Sequence, residues 1–440
     1  VFPYGYILRS HFTDYYYFML DISFIRDNQE IISEAARKKG VDLKVADLIA
    51  ADDKRREKLG EAEKMRARQN EANEQIAQKS GEERESLIAE MKELKQELQK
   101  VEGELKDIMD EWKTFMIAVP NIPDMSVPEG KDESENQEIK QWGEKPTFSF
   151  DPKNHIELMT ALNMVDFERG TKIHGFRGHV LIGDGALLAQ ALWDYARDFF
   201  LEKDFTFAIP PAIVNKEYLY GTGHLPSDAE DLFETQDGQY LSGTAEIPMM
   251  AFHADETFSD DELPKRYLAF SPCYRREAGS YGKDVKGLLR VHEFFKFEQL
   301  VLCEADHARS VEIHEELQRN HEEFLESLGL AYRQVVICTG DLKAAQVKCY
   351  DTELWIPSQE TYREIGSASY YHDFQTRRFN IRYEDGQTRR YVHSLNATAI
   401  PTPRVLIALV ENNQNQDGSI VIPEVLRPYM GGKETVAREQ

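Results

Sequence analysis

Two arginines, Arg275 and Arg276, stand side by side in CYRREAGSYGKDVKGLLRVHEFFKFEQ, residues 273–299 of a chain whose formal net charge is -25. Arg290, Phe294 and Glu298 follow in the same stretch, and Arg404 lies far downstream in LNATAIPTPRVLIALVENNQ, 395–414. A guanidinium is a planar fork that holds phosphate or carboxylate oxygens two at a time. A flat ring stacks on a nucleobase. Arg275 closes one strand-like run, the turn AGSYGKDVKG follows, and the next run carries Arg290, Phe294 and Glu298. Such a hairpin gathers cations at one end beside a ring. Arg404 opens an apolar helix with Pro403 in its first turn, a position that suits proline, and a helix start favours an anion.

Taken singly, these side chains have ordinary structural readings. Thr244 is a strand hydroxyl, Glu246 or Glu298 a paired carboxylate, Arg290 an ion-pair partner, Phe294 a core ring, Ser367 turn chemistry and Arg404 a helix-terminal charge. Their convergence on one ligand set carries the functional reading.

The elements that must position them divide the 440-residue chain. That length predicts two domains, and a charged content of 30% predicts a long solvated helical element. From Met91, apolar residues recur at Leu94, Leu98, Val101, Leu105, Ile108, Trp112 and Phe115, a heptad seam along a helix. Val45, Leu48, Leu59, Ala62 and Ile76 form a weaker version, and KSGEE (79–83) with Gly81 separates the two. Two helices over 45–117 then pair antiparallel into an arm roughly 50 Å long at about 1.5 Å per residue. Arg55, Arg56, Lys64, Arg66 and Arg68 are available on it for phosphate.

The proline-punctuated PNIPDMSVPEGKDESENQE (120–138) reads as a linker. Beyond it, helical patterns such as 185–200 alternate with strand-like runs, including 266–276, 288–303, 419–424 and the Asp-Gly hairpin RYEDGQTRRYVH. An antiparallel sheet flanked by helices is expected. No GxGxxG or P-loop motif appears. Cys273, Cys303, Cys338 and Cys349 are scattered, which predicts free thiols in a reducing cytoplasm. No apolar run is long enough for a membrane span. Residues 1–18 read as an extension without function ahead of Met19.

With HVLIGDGALLAQALWDYARDFFLEKDFTFAIPPAIV (179–214), the two arginine segments resemble the three signature motifs of class II aminoacyl-tRNA synthetases. LYGTGHLP (219–226), LSGTAEIP (241–248), 274–299 and YDTELWIPSQETYREIGSAS (350–369) resemble, in order, blocks of the seryl-tRNA synthetase family, with the arm included. The resemblance implies an α+β chain: an N-terminal tRNA-binding domain (19–119) with an antiparallel coiled-coil arm, a linker (120–145), and a class II catalytic domain (146–440). It implies that Arg275 holds the α-phosphate and the amino-acid carboxylate, that Glu277 meets the adenine edge, and that Phe294 stacks on the ring. Arg290 and Arg404 take the β- and γ-phosphates, Arg276, Ile365 and Gly366 complete the ATP segment, and Glu364 and Ser367 coordinate Mg2+. Thr244, Ala245, Glu246, Glu298, Asn396 and Thr398 line the serine site.

The implied reaction is serine activation by ATP and transfer to tRNA(Ser), and to the selenocysteine tRNA, tRNA(Sec), where the cell has one. The implied assembly is a cytoplasmic homodimer whose arm reads tRNA shape. A carboxylate nucleophile is ionised at pH 7 and needs no base, so His224 and His292 read as structural. Alanine would leave the serine-site polar groups unpaired, and threonine would add a methyl. Arg276, Ala397, Tyr370 and Tyr371 depart from the usual family residues, with nucleotide affinity the expected casualty. Two other readings compete. A ligase for a carrier protein is disfavoured by the arm, and an inactive RNA-binding paralogue by the retained arginines and glutamates.

Overall fold

The structure, a computed structural model, describes residues 20–278, 284, 286–386 and 388–438; the extension expected over 1–18 lies outside them. The chain divides after Pro120 into two compact units.

The first unit opens with helices Ile22–Asp27 and Gln29–Lys38 and continues into Val45–Gln78 and Glu82–Ala118. Gly81, at a left-handed φ of +66°, supplies the break between the long pair. Leu94, Leu98, Val101, Leu105 and Trp112 are buried along the heptad seam, opposed by Leu48, Ala62 and Ala72. Lys58–Glu104 at 2.8 Å, Arg66–Glu102 at 2.7 Å and Arg68–Glu90 at 3.3 Å fix an antiparallel pairing. At the base, the buried Asp52 takes both Arg26 and Arg55, and Arg55 lies 4.4 Å from the Trp112 ring. Three of the five cations expected to be available for phosphate are thus already paired; Arg56 and Lys64 are exposed.

The second unit is built on an eight-stranded sheet. In chain order its strands are β1 Gln137–Trp142, β2 Thr206–Ala208, β3 Lys265–Tyr274, β4 Glu293–Cys303, β5 Tyr332–Val336, β6 Lys348–Ile356, β7 Thr361–His372 and β8 His393–Pro401. Their spatial order is β1-β5-β6-β7-β8-β4-β3-β2. The sheet is antiparallel as expected except at one edge, where β2 runs parallel to β3. Helices Asp184–Leu201, His307–Ser327 and Thr402–Asn412 contribute Leu192, Phe200, Leu317, Phe324 and Leu409 to a core shared with Phe297, Val301, Leu354 and Leu395 of the sheet. That face is closed. The other face is left for chemistry.

Two expectations need correction. Residues 121–145 are not a free linker. Asn121 donates to the carbonyls of Ala345 (3.0 Å) and Tyr371 (2.7 Å), Val127 packs with Val335 and Ile337, and β1 pairs with β5. The prolines hold this chain extended so that it docks, and β1 is too polar to read as a strand because it is an edge. Second, the run 288–303 becomes strand only from Glu293, which leaves Arg290 in the preceding turn.

Candidate active site

Alternation along the strands decides which side chains face away from the helices. Phe294, Lys296 and Glu298 do so on β4, Asp351 and Glu353 on β6, and Asn396 and Thr398 on β8; all line one cavity of about 800 Å³. On β7 the pairs Glu364↔Glu353 and Gly366↔Thr352 leave Ile365 as an extra residue. Glu364 and Ser367, three apart, would otherwise face opposite sides; the bulge restores them to the same one. Both line the cavity, as do Arg275, Glu277, Ile365, Gly366 and Arg404.

One end of the cavity is a buried polar cluster. The Thr244 hydroxyl donates to Glu298, and Lys296 Nζ lies 2.6 Å from the same carboxylate and 3.0 Å from Thr244 Oγ1. Asn396 Nδ2 donates to the other Glu298 oxygen at 3.1 Å. Glu246, also buried, accepts from Gln375. Burial and then the Glu298 charge push the Glu246 carboxyl up to about 7, against the pull of Gln375 and Lys296. Two carboxylates and one ammonium leave this cluster one positive charge short, so it suits a small cationic group.

The guanidinium forks line the same cavity. Arg275 lies 5.4 Å from the Phe294 ring and reaches Gly243 O at 3.5 Å. Arg404 donates to Glu364 O at 2.8 Å and lies 3.4 Å from the Glu364 carboxylate. Glu277, at a left-handed φ of +54°, turns its carboxylate to Arg290 (3.2 Å) and Arg177 (3.5 Å). Gly366 is required sterically, because a Cβ there would sit 2.7 Å from Thr398.

Three expected site residues do not line the cavity. Arg290 is held by Glu277 and, at 3.4 Å, by Asp284. Arg276 follows Arg275 in extended chain, so it turns the other way, to within 5.6 Å of the Phe233 ring. Ala245 is buried among Met249, Ala269 and Leu300. Conversely, Lys296, Asp351, Tyr371 and Gln375 were missed. Lys296 was legible from its i, i+2 relation to Glu298; Gln375 sits on the helix Phe374–Phe379 and carried no signal. His224 is kept neutral by burial, which lowers it to about 3.

The residues present fit a divalent cation. Glu364 and Ser367 offer hard oxygen donors on one face, and Asp351 beside them is pushed up to about 8 by burial and by the Glu364 charge. A cation there would reverse that shift. Among the described residues no three acidic, His or Cys side chains form a metal cluster of their own.

Residues 232–413 match the family model for the tRNA synthetase class II core domain (G, H, P, S and T), and 19–123 that for the seryl-tRNA synthetase N-terminal domain. The chain is 44% identical over 421 residues to the serine–tRNA ligase of Thermodesulfovibrio yellowstonii, covering 94% of this chain and 99% of that protein. A crystal structure of seryl-tRNA synthetase from Pyrococcus horikoshii complexed with ATP is similar at a TM-score of 0.86 and 36% identity, covering 96% of this chain and 100% of that one. The cytoplasmic enzyme of Naegleria fowleri in complex with AMP is similar at 0.83 and 32%, with the same coverage of 96% and 100%. On full-length identity and on both matched domains, the chain belongs to the seryl-tRNA synthetase family.

Proposed function

We propose that this chain activates L-serine with ATP to seryl-adenylate and pyrophosphate, then transfers serine to the 3′ end of tRNA(Ser), and of tRNA(Sec) where one exists. The observation that carries this reading is that Arg275 and Arg404 line the same cavity as the Thr244–Glu298–Lys296 cluster. A triphosphate and a small ammonium-bearing substrate therefore meet in one chamber.

The serine carboxylate oxygen attacks the α-phosphorus, and the bond to the bridging oxygen of pyrophosphate breaks. Arg275 neutralises and aligns the two anions. Phe294 stacks on adenine, Glu277 takes its amino edge, and Arg404 meets the terminal phosphates. Arg290 joins it by exchanging Asp284 for phosphate. Glu364 and Ser367 would hold Mg2+, which neutralises phosphate oxygens when bound. Glu246, Glu298, Asn396 and Thr398 hold the serine ammonium and hydroxyl. In the second step a terminal tRNA hydroxyl attacks the acyl carbon and AMP leaves.

A homodimer is part of this reading. Ile173, Phe176, Leu187, Leu201, Ile209 and Ile213, half of the exposed large apolar side chains among the described residues, fall within 173–213, an apolar density that marks an interface. No described helix is long and apolar enough to cross a membrane, and four free, buried cysteines suit a cytoplasmic setting.

Pyrophosphate exchange with each of the twenty amino acids, followed by charging of purified tRNA(Ser), tests the reading. Exchange with serine alone is expected; exchange driven by another amino acid and not by serine overturns it. Glu246 adds a pH signature. With its carboxyl pushed up to about 7, it is ionised at pH 8 and mostly protonated at pH 6, where an ordinary glutamate stays charged. KM for serine should rise by about tenfold as pH falls across that window. Glu246→Gln should flatten the profile.

A further inference from the structure

We propose that Tyr371 is a positioning residue of the amino-acid subsite, acting through Asn396 on Glu298. The inference deepens the serine-site reading above and rests on it. Alternation along β7 sends Tyr370 into the helix-side core, where its hydroxyl donates to Asp124 at 2.8 Å, and Tyr371 into the cavity. The residue marked by its sequence as a departure near the nucleotide segment thus stands at the amino-acid end instead.

The Tyr371 hydroxyl donates to Asn396 Oδ1 at 2.9 Å, and Asn396 Nδ2 donates to Glu298 Oε1 at 3.1 Å. Glu298 Oε2 is held by Thr244 and by Lys296 at 2.6 Å. Both oxygens of the carboxylate are therefore fixed from opposite sides. The chain is buried: Tyr371 is 6% exposed, Asn396 8% and Glu298 3%. Burial, together with the adjacent Glu246 charge, keeps the phenol protonated and so a donor. An amide has only one orientation that gives its oxygen to a phenol O–H and its NH2 to a carboxylate. Tyr371 supplies the half of that lock that Glu298 cannot.

Removing the hydroxyl leaves Asn396 Oδ1 buried without its partner. The amide is then free to turn for another donor, and Glu298 Oε1 loses the hydrogen bond that aims it at the substrate ammonium. The effect falls on serine binding, because the hydrogen-bond chain ends on the carboxylate assigned to the serine ammonium and touches none of the residues assigned to ATP. A side chain that merely filled the wall would be replaced by phenylalanine at no cost.

The test is a cycle of Tyr371→Phe, Asn396→Ala and the double variant in the full-length enzyme, read by serine-dependent pyrophosphate exchange. Tyr371→Phe should raise KM for serine by about five- to tenfold, the effect of one buried hydrogen bond. KM for ATP should stay where it was, and the thermal midpoint should fall by no more than one lost buried hydrogen bond accounts for. The double variant should cost no more than Asn396→Ala alone, since Tyr371 works through that amide. An unchanged serine KM in Tyr371→Phe, or effects that multiply in the double variant, overturn the proposal. Glu298→Gln, run alongside, separates the two levels. If it leaves serine KM unchanged, the serine-site reading itself fails; if it raises KM while Tyr371→Phe does not, only the positioning role fails.

Discussion

Arg275→Ala is expected to abolish serine-dependent pyrophosphate exchange while leaving the fold intact. Both reactants in the first step are anions, and Arg275 lines the same cavity as the buried Glu298 cluster and Arg404. In the proposed mechanism its fork bridges a phosphate and a carboxylate. Losing one preorganised charge of this kind costs at least about a hundred- to a thousandfold in rate. The fold has little stake in it: among the described residues the guanidinium makes one hydrogen bond of 3.5 Å, to Gly243 O, and lies 5.4 Å from the Phe294 ring. Truncation there removes no core contact and breaks no buried ion pair. Arg275→Lys keeps the charge and loses the fork, so it should recover only part of the rate. Exchange assays with a thermal melt on each variant make the measurement. Parent-like exchange in Arg275→Ala would remove the residue from the mechanism and with it the case for an arginine-aligned attack.

What was readable in advance followed from periodicity and from contiguous motifs. The arm is a local object: a heptad, a glycine break and a second heptad suffice to specify two paired helices, because every contact joins residues along one seam. The Arg275 and Arg404 segments were legible because each carries a cation at the end of a regular element. What escaped depends on register or on distant chain. Glu364 and Ser367 were named through the family resemblance alone, because they share a face only through the extra residue at Ile365 and no propensity announces a bulge. Arg276 was grouped with Arg275 by adjacency, although extended chain sends neighbours opposite ways. Arg290 was assigned to a strand that begins three residues later, and no pattern announces its ion pair with Asp284. The stretch after Pro120 looked unstructured because its partners, Ala345 and Tyr371, are more than two hundred residues away. Lys296 is the instructive omission. It alternates with Glu298, and a lysine beside a carboxylate on an otherwise apolar strand is costly to bury unless that pair belongs to a site.

Replacing residues 60–101 by a short Gly-Ser turn should leave serine-dependent exchange at the parent level and remove charging of tRNA(Ser). The first half follows from the cavity, whose lining residues lie between Glu133 and Arg404 and include none from the helical pair. The replacement keeps the base: Asp52 with Arg26 and Arg55, Arg55 on Trp112, and Lys58 with Glu104. The second half follows from electrostatics. Within the replaced segment Lys64 is exposed, and Arg66 and Arg68 are held only by ion pairs with more than a third of each side chain in solvent. Exposed pairs of this kind contribute about 0–1 kcal/mol, so a phosphate displaces the glutamate at little cost. Affinity built from such contacts is lost with them and is steeply salt-dependent, and a paired RNA stem is read by shape and backbone rather than by base edges. The expected result is a fall of about a hundredfold or more in kcat/KM for tRNA, the scale of a few lost phosphate contacts. Residual charging should no longer respond to added salt as the parent does. Undiminished charging by the shortened enzyme would mean that the tRNA is held elsewhere, and that the long helices serve some other end.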